Sequence, residues 1–223
     1  MDRSMRRRFT AAYWPGLALL VSVYIALTVV RTVRDDFAVE IWRDLGSGET
    51  PSVFARTETL VAVLVMACNG LSILVRGNLA AIRVTMALMG MAFVLVGVSL
   101  WAFRADAVSP FWFMVACGVG LYIPYTAFHT TVFERIIAAS KHPCNLAFLM
   151  YLADSLGYLG YAIVILAKST MRSSTPILPY FEWTLGVVAA TSLVALAAAT
   201  VYFEIVLAPK RSSTVESTGG EAS

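Results

Sequence analysis

An aspartate stands near the middle of an apolar stretch: Asp154, within residues 145–167. An ionised carboxylate at that depth of a bilayer costs at least about 2.5 kcal/mol on insertion scales, so it must face a cavity or a partner. Tyr151, Ser155, Tyr158 and Tyr161 recur around it at three- and four-residue spacing, which gives one hydroxyl-bearing helix face. Two chemistries fit. The carboxyl can take up a proton or bind a solute, or it can be neutral or paired and fix helix packing. Gly157 and Gly160 in the same stretch allow a neighbouring helix to approach closely.

A second group lies in the string YIPYTAFHTTVFER. Pro124 removes a backbone donor and frees a carbonyl upstream, so a kink is expected there. Tyr122, Tyr125, Thr126 and His129 then share a face. His129 can titrate near neutral pH and shuttle a proton, or serve as a hydrogen-bonded packing residue. Glu134 and Arg135 follow at the membrane edge, where an interfacial ion pair is the simpler reading. The third group is RTVRDD. Arg31 and Arg34 lie one turn apart on one helix face beside Asp35 and Asp36. Two guanidinium forks in that arrangement suit an anionic group held in a planar, bidentate fashion. The alternative is a set of juxtamembrane charges that simply solvate. Glu58, at the start of the next apolar stretch, completes the set.

These residues must be positioned by membrane helices. The 223-residue chain is 59% hydrophobic and 14% charged, whereas soluble domains carry about 25% charged residues. Its mean hydropathy is +0.75. A span needs about 20 apolar residues, and six candidates occur, at 9–30, 59–75, 84–103, 107–133, 145–167 and 183–203. They leave no room for a soluble domain. The first is too long for a signal-peptide core and has no small-residue cleavage site after it, so it reads as a signal anchor.

The expected organisation is a basic cytoplasmic N-terminus over 1–8, a six-helix membrane domain over 9–208 and a disordered cytoplasmic tail over 209–223. The MDRSMRRR start weighs most in the charge bias, which places both termini in the cytoplasm and the protein in the cell (inner) membrane as a multi-pass chain. Tyr13, Trp14, Trp42, Trp101, Phe111, Trp112, Tyr180, Trp183, Tyr202 and Phe203 are the expected interface markers. The piece DDFAVEIWRDL is amphipathic, with Phe37, Ile41, Trp42 and Leu45 at roughly helical spacing. It predicts a helix continuing out of the membrane or lying on its surface.

Several functions lack their signatures. Cys68, Cys117 and Cys144 form no CxxC pair and read as small buried residues, not metal or redox ligands. GxSG, HExxH and GxxxxGK motifs do not occur, and two histidines give little scope for a metal site. The expectation is a non-enzyme with no cofactor. A net charge of +3 is distributed by topology and does not call for nucleic acid; the partner is the lipid bilayer.

Thr32, Val33 and Asp35 have counterparts in Thr131, Val132 and Glu134, 99 residues later, each set at the exit of the first span of three. An inverted three-plus-three repeat of transporter type predicts such a relation. Finally, RTVRDDFAVEIW, YIPYTAFHTTVFERIIAA and FLMYLADSLGYLGY resemble the C-terminal half of a bacterial family of major-facilitator-like (MFS) membrane proteins with no assigned substrate. The resemblance implies an all-α, six-helix half bundle, with Arg34, Asp35, Asp36, Glu134, Arg135 and Asp154 at signature positions. It further implies half of a secondary, proton- or ion-coupled transporter for a small solute. Alternating access needs two bundles, so a homodimer or a second six-span half is expected as partner. The competing expectation is a non-transporting assembly or accessory subunit.

Overall fold

The computed structural model describes residues 3–46, 51–72, 74–142, 144–170 and 176–207. The tail expected over 209–223 lies outside the described residues. Among those residues the chain is all helical: α1 (Arg3–Asp36), α2 (Ala38–Asp44), α3 (Pro51–Ser72), α4 (Asn78–Arg104), α5 (Pro110–Ala127), a π-helical segment (Phe128–Val132), α6 (Phe133–Ala139), α7 (Leu146–Thr170) and α8 (Ile177–Leu207). Six helices are long and apolar enough to cross a membrane, with α5, the π segment and α6 counting as one. Helix is the form an apolar chain takes in lipid, because every backbone polar group must be satisfied within the segment.

The helices outrun the charge-free stretches. Glu58, Arg83, Glu182 and Glu204 all lie inside helices, beyond the windows that sequence alone defines. A charge-free run marks hydrocarbon depth, while the backbone ladder continues into the headgroup zone. α1 shows the excess most clearly. Its 34 residues span about 51 Å at 1.5 Å per residue, against about 30 Å of hydrocarbon.

After α1 the ladder carries on through Phe37, with Phe37 N donating to Val33 O (3.1 Å) and Ile41 N to Phe37 O (2.9 Å). The amphipathic piece therefore forms α2, which packs on α1 and α8. Ile41 and Trp42 are buried, and the Trp42 ring meets Phe54. Trp42 is thus a core residue, not an interface marker. Trp14, Trp101, Trp112 and Trp183 are exposed, as lipid-interface residues should be. The Asp44 carboxylate accepts a hydrogen bond from Leu178 N (3.1 Å), satisfying a first-turn donor of α8.

The packing partners repeat. α1 lies against α8 as α5 lies against α4, and α7 lies against α1 as α3 lies against α5. Two further contacts, α1 with α5 and α4 with α8, map onto themselves when the first three spans are exchanged for the last three. Successive spans alternate in direction, so the second set runs opposite to the first. The α4–α8 seam carries an ion pair at each end: Arg83 with Glu204, and Arg104 with Glu182 (2.9 Å). α3 and α7 are the least enclosed spans, 22% and 17% buried. They stand on the flanks of the α1–α5 pair. Gly157 and Gly160 let α7 seat tightly, since a Cβ at Gly157 would lie 3.0 Å from Thr28 Oγ1 and one at Gly160 2.9 Å from Ile25 Cγ2.

Candidate functional site

Between the flanking helices, the facing surfaces of α1, α5 and α7 carry two polar clusters. The first is built on the last turns of α1. Arg34 points into the bundle, its side chain only 2% exposed. It donates to both Glu58 carboxylate oxygens (2.8 and 3.4 Å), to Asp35 Oδ1 (3.2 Å) and to Met114 O (3.4 Å). It thereby ties α1 to α3 and α5. The absence of a side chain at Gly118 makes the room, because a Cβ there would lie 2.9 Å from Arg34 Nη2.

Arg31 is placed differently. Its guanidinium lies over the Tyr125 ring at 4.3 Å and near Tyr122 at 5.7 Å. It donates to Asp35 Oδ2 (3.1 Å) and to Thr32 Oγ1 (3.5 Å). Its Nε, like that of Arg34, is buried without a hydrogen-bond partner. Asp35 also accepts from Tyr122 Oη (2.6 Å). A carboxylate with three donors keeps two if Arg31 turns away. Of the two arginines expected to hold an anion, Arg34 is enclosed and ties three helices, while Arg31 is 14% exposed, hydrogen-bonds within α1 and lies over the Tyr125 ring. An open cleft of about 400 Å³ runs beside this cluster, lined by Glu58, Val61, Val65, Met66, Tyr122 and Thr126.

The second cluster lies deeper. Tyr24, fully buried in α1, donates its hydroxyl to Asp154 Oδ1 on α7. His129 Nε2 stands 3.4 Å from Tyr24 Oη and 3.7 Å from Asp154 Oδ1. The π segment presents His129. It follows Pro124, whose missing N–H already interrupts the ladder, and π segments frequently occur at functional sites. His129 Nδ1 is anchored on Tyr125 O (2.9 Å). The Tyr125 ring packs on both His129 and Tyr24, at centroid distances of 4.5 and 5.9 Å.

Not every residue singled out from sequence joins these clusters. Asp36 accepts from Tyr161 Oη at the outer end of the same groove, so the α7 stripe Asp154–Tyr158–Tyr161 does face α1. Tyr158 is half exposed along it, whereas Tyr151 is 73% exposed and touches neither cluster. Glu134 and Arg135 are removed from the site. Arg135 donates to Asn78 Oδ1 (3.2 Å) on α4 and Glu134 is exposed, so the expected Glu134–Arg135 pair does not form. Tyr24 was not legible as a site residue. A tyrosine amid an apolar span has no motif, and only the meeting of α1 with α7 gives it a partner. Among the described residues no group of three or more His, Cys, Asp or Glu side chains could hold a metal ion.

A model described as a family of unknown function matches residues 1–205. The chain belongs to that family, DUF5690. No curated protein and no solved structure matches it. The DUF5690 match takes in both polar clusters and nearly the whole of α8.

Proposed function

We propose that this DUF5690 chain is one half of a secondary transporter for a small polar or anionic solute, with the groove between α3 and α7 as one wall of the solute path. The observation that carries the reading is the exchangeable polar surface itself. Arg31, Tyr122, Tyr125, His129 and Asp154 form a connected run of contacts across α1, α5 and α7, the side chains of His129 and Asp154 being about a third exposed. The repeated packing pairs support it, since inverted repeats flank midplane sites in transporters. A second six-helix bundle, from another copy or a separate half, supplies the facing wall. The MFS-type arrangement, the N-in/C-in orientation and the cell-membrane location belong to the same reading. Reporters fused at Gly48 and at the C-terminus should then fall on opposite sides.

A non-transporting assembly subunit is the competing reading. The exposed apolar flanks favour it: Met66 on α3 is 74% exposed and Leu166 on α7 is 65% exposed. Thiol labelling separates the two. Cys68, Cys117 and Cys144 are replaced by serine or alanine, and single cysteines are introduced at Thr126, in the cleft, and at Val194, on the lipid face. A membrane-impermeant maleimide is applied to cells and to inverted vesicles. Transport predicts that T126C is labelled and V194C is not. A T126C protein silent from both sides means a groove sealed by a partner, and the transport reading falls.

A further inference from the structure

The hydrogen positions at the inner cluster can be worked out from its acceptors. His129 Nδ1 faces the Tyr125 carbonyl, which can only accept, so Nδ1 carries a hydrogen. Tyr24 has one hydroxyl proton and gives it to Asp154. His129 Nε2 therefore faces the Tyr24 and Asp154 oxygens, 3.4 and 3.7 Å away. With a hydrogen on Nε2, His129 is an imidazolium and donates towards both. Without one, a nitrogen lone pair opposes oxygen lone pairs, unless the hydroxyl of Tyr24 turns to Nε2. That turn requires Asp154 to hold a proton of its own. Two arrangements thus satisfy the same heavy atoms: imidazolium with carboxylate, and neutral imidazole with carboxylic acid.

We propose that Tyr24, His129 and Asp154 form a proton-binding relay in which Tyr24 passes the proton between the other two. In the relay the His129 Nε2–H bond breaks as an O–H bond forms on Tyr24. The original Tyr24 O–H bond breaks as an O–H bond forms on Asp154 Oδ1. One proton crosses from imidazolium to carboxylate and the net charge of the set is unchanged. Both ends reach the groove, the side chains of His129 and Asp154 being 32% and 31% exposed, while Tyr24 between them is fully buried. Either end can therefore exchange a proton with the groove.

The surroundings restrict what else can act on the set. From α5, Tyr125 packs against His129 and Tyr24, with Tyr122 beyond it. From α1, Arg31 lies over the same Tyr125 ring, 4.3 Å from its centroid, and is paired there with Asp35. From α7, Tyr158 follows Asp154 on its stripe. A solute anion taken by Arg31 would thus sit one aromatic ring from the relay. The relay stands without the transport reading; its use to couple proton and solute rests on that reading.

The test uses the two histidines. His142 is replaced by alanine so that ¹⁵N-histidine spectra of the full chain in lipid nanodiscs report His129 alone. The expected spectra contain imidazolium and the neutral Nδ1–H form, never the Nε2–H form. Asp154→Asn, which removes the carboxylate facing Nε2, should abolish the imidazolium–carboxylate arrangement and lower the imidazolium signal relative to the neutral form. Tyr24→Phe, which keeps the ring packing, should leave ¹³C-labelled Asp154 and His129 titrating separately, where the parent shows both changing together. A dominant Nε2–H form overturns the proposal. So does an unchanged ratio in a folded Asp154→Asn protein, or joint titration persisting in Tyr24→Phe. If Asp154→Asn fails to fold, the tautomer and the Tyr24→Phe spectra still decide. A silent T126C groove with an intact relay would remove transport and leave the proton site.

Discussion

The two polar clusters of the groove differ in what is left over once partners are counted. At the end of α1, two arginines meet Asp35 and Glu58, and these charges balance without any proton moving. At the centre, one carboxylate meets a histidine and a tyrosine, and the balance depends on where a proton sits. The charges of the first are fixed, and through Arg34 it joins three helices. The second can change state while the helices stay in place. Depth explains the division. A guanidinium stays charged at every accessible pH, so it suits a frame near the membrane edge. Deeper in the bilayer a fixed charge is costly, and a set that can become neutral avoids that cost.

Removing Arg34 should break the frame most severely. Arg34→Met removes an enclosed guanidinium and its hydrogen bonds to Glu58, Asp35 and Met114 O. Glu58 is half exposed and Asp35 keeps two donors, so the loss is that of charge-assisted hydrogen bonds, about 1.5–3 kcal/mol. The expected outcome is a large fall in the melting midpoint of the purified protein and low membrane yield. Arg34→Lys should recover little, since an ammonium cannot span both Glu58 oxygens as the fork does. A variant with wild-type melting would show that Arg34 is no clamp.

Arg31→Gln sharpens the contrast between neighbouring arginines. Asp35 retains Arg34 and Tyr122, so no acid is stranded. The loss is one charge-assisted hydrogen bond and the contact with Tyr125, about 1–3 kcal/mol together. The protein should fold, with a midpoint between those of the parent and Arg34→Met, and should lose solute transport. Equal destabilisation by both substitutions would erase the distinction between frame and site.

Asp154→Asn should cost less still, under about 1.5 kcal/mol, because the amide oxygen can still accept from Tyr24. Its effect belongs to activity. Transport in reconstituted vesicles should be abolished while melting and membrane level hold. An active Asp154→Asn protein would reduce Asp154 to a packing residue.

How much of this was legible from sequence follows the same division. Hydrophobic length revealed all six spans, because hydrocarbon thickness acts on each segment separately. Asp154, His129, Arg31, Arg34 and Glu58 stood out because a charge or a titratable ring in or beside an apolar run is costly on its own. Tyr24 did not stand out, nor did the division of labour between Arg31 and Arg34. Spacing put both arginines on one face, but the room left at Gly118 lets Arg34 turn inward. Glu134 and Arg135 misled for a related reason. Adjacent opposite charges look like a pair, yet on a helix they point in different directions, and Asn78 of α4 lies within reach of the arginine.

The smallest effect is expected where the ion pairs look most regular. Arg83 joins Glu204 through both carboxylate oxygens, the Nη2–Oε2 contact being 2.7 Å, and the pair links α4 to α8 as Arg104–Glu182 does at the opposite end of the seam. Both Arg83 and Glu204 are open to solvent, so each is well hydrated without the other, and holding two long side chains together costs entropy. Geometry as good as that of Arg34–Glu58 should therefore count for far less. Arg83→Gln should leave the melting midpoint within experimental error in moderate salt, and the charge-reversed pair Arg83→Glu with Glu204→Arg should behave like the parent. The α4–α8 seam would then be held by its apolar surface, with the pair marking where that surface ends. A loss comparable to that of Arg34→Met would mean that this end of the seam is enclosed in the membrane-bound protein. The most economical cause would be a second bundle lying over it, and a cross-link between single cysteines at position 83 of two copies would distinguish a homodimer from a separate half.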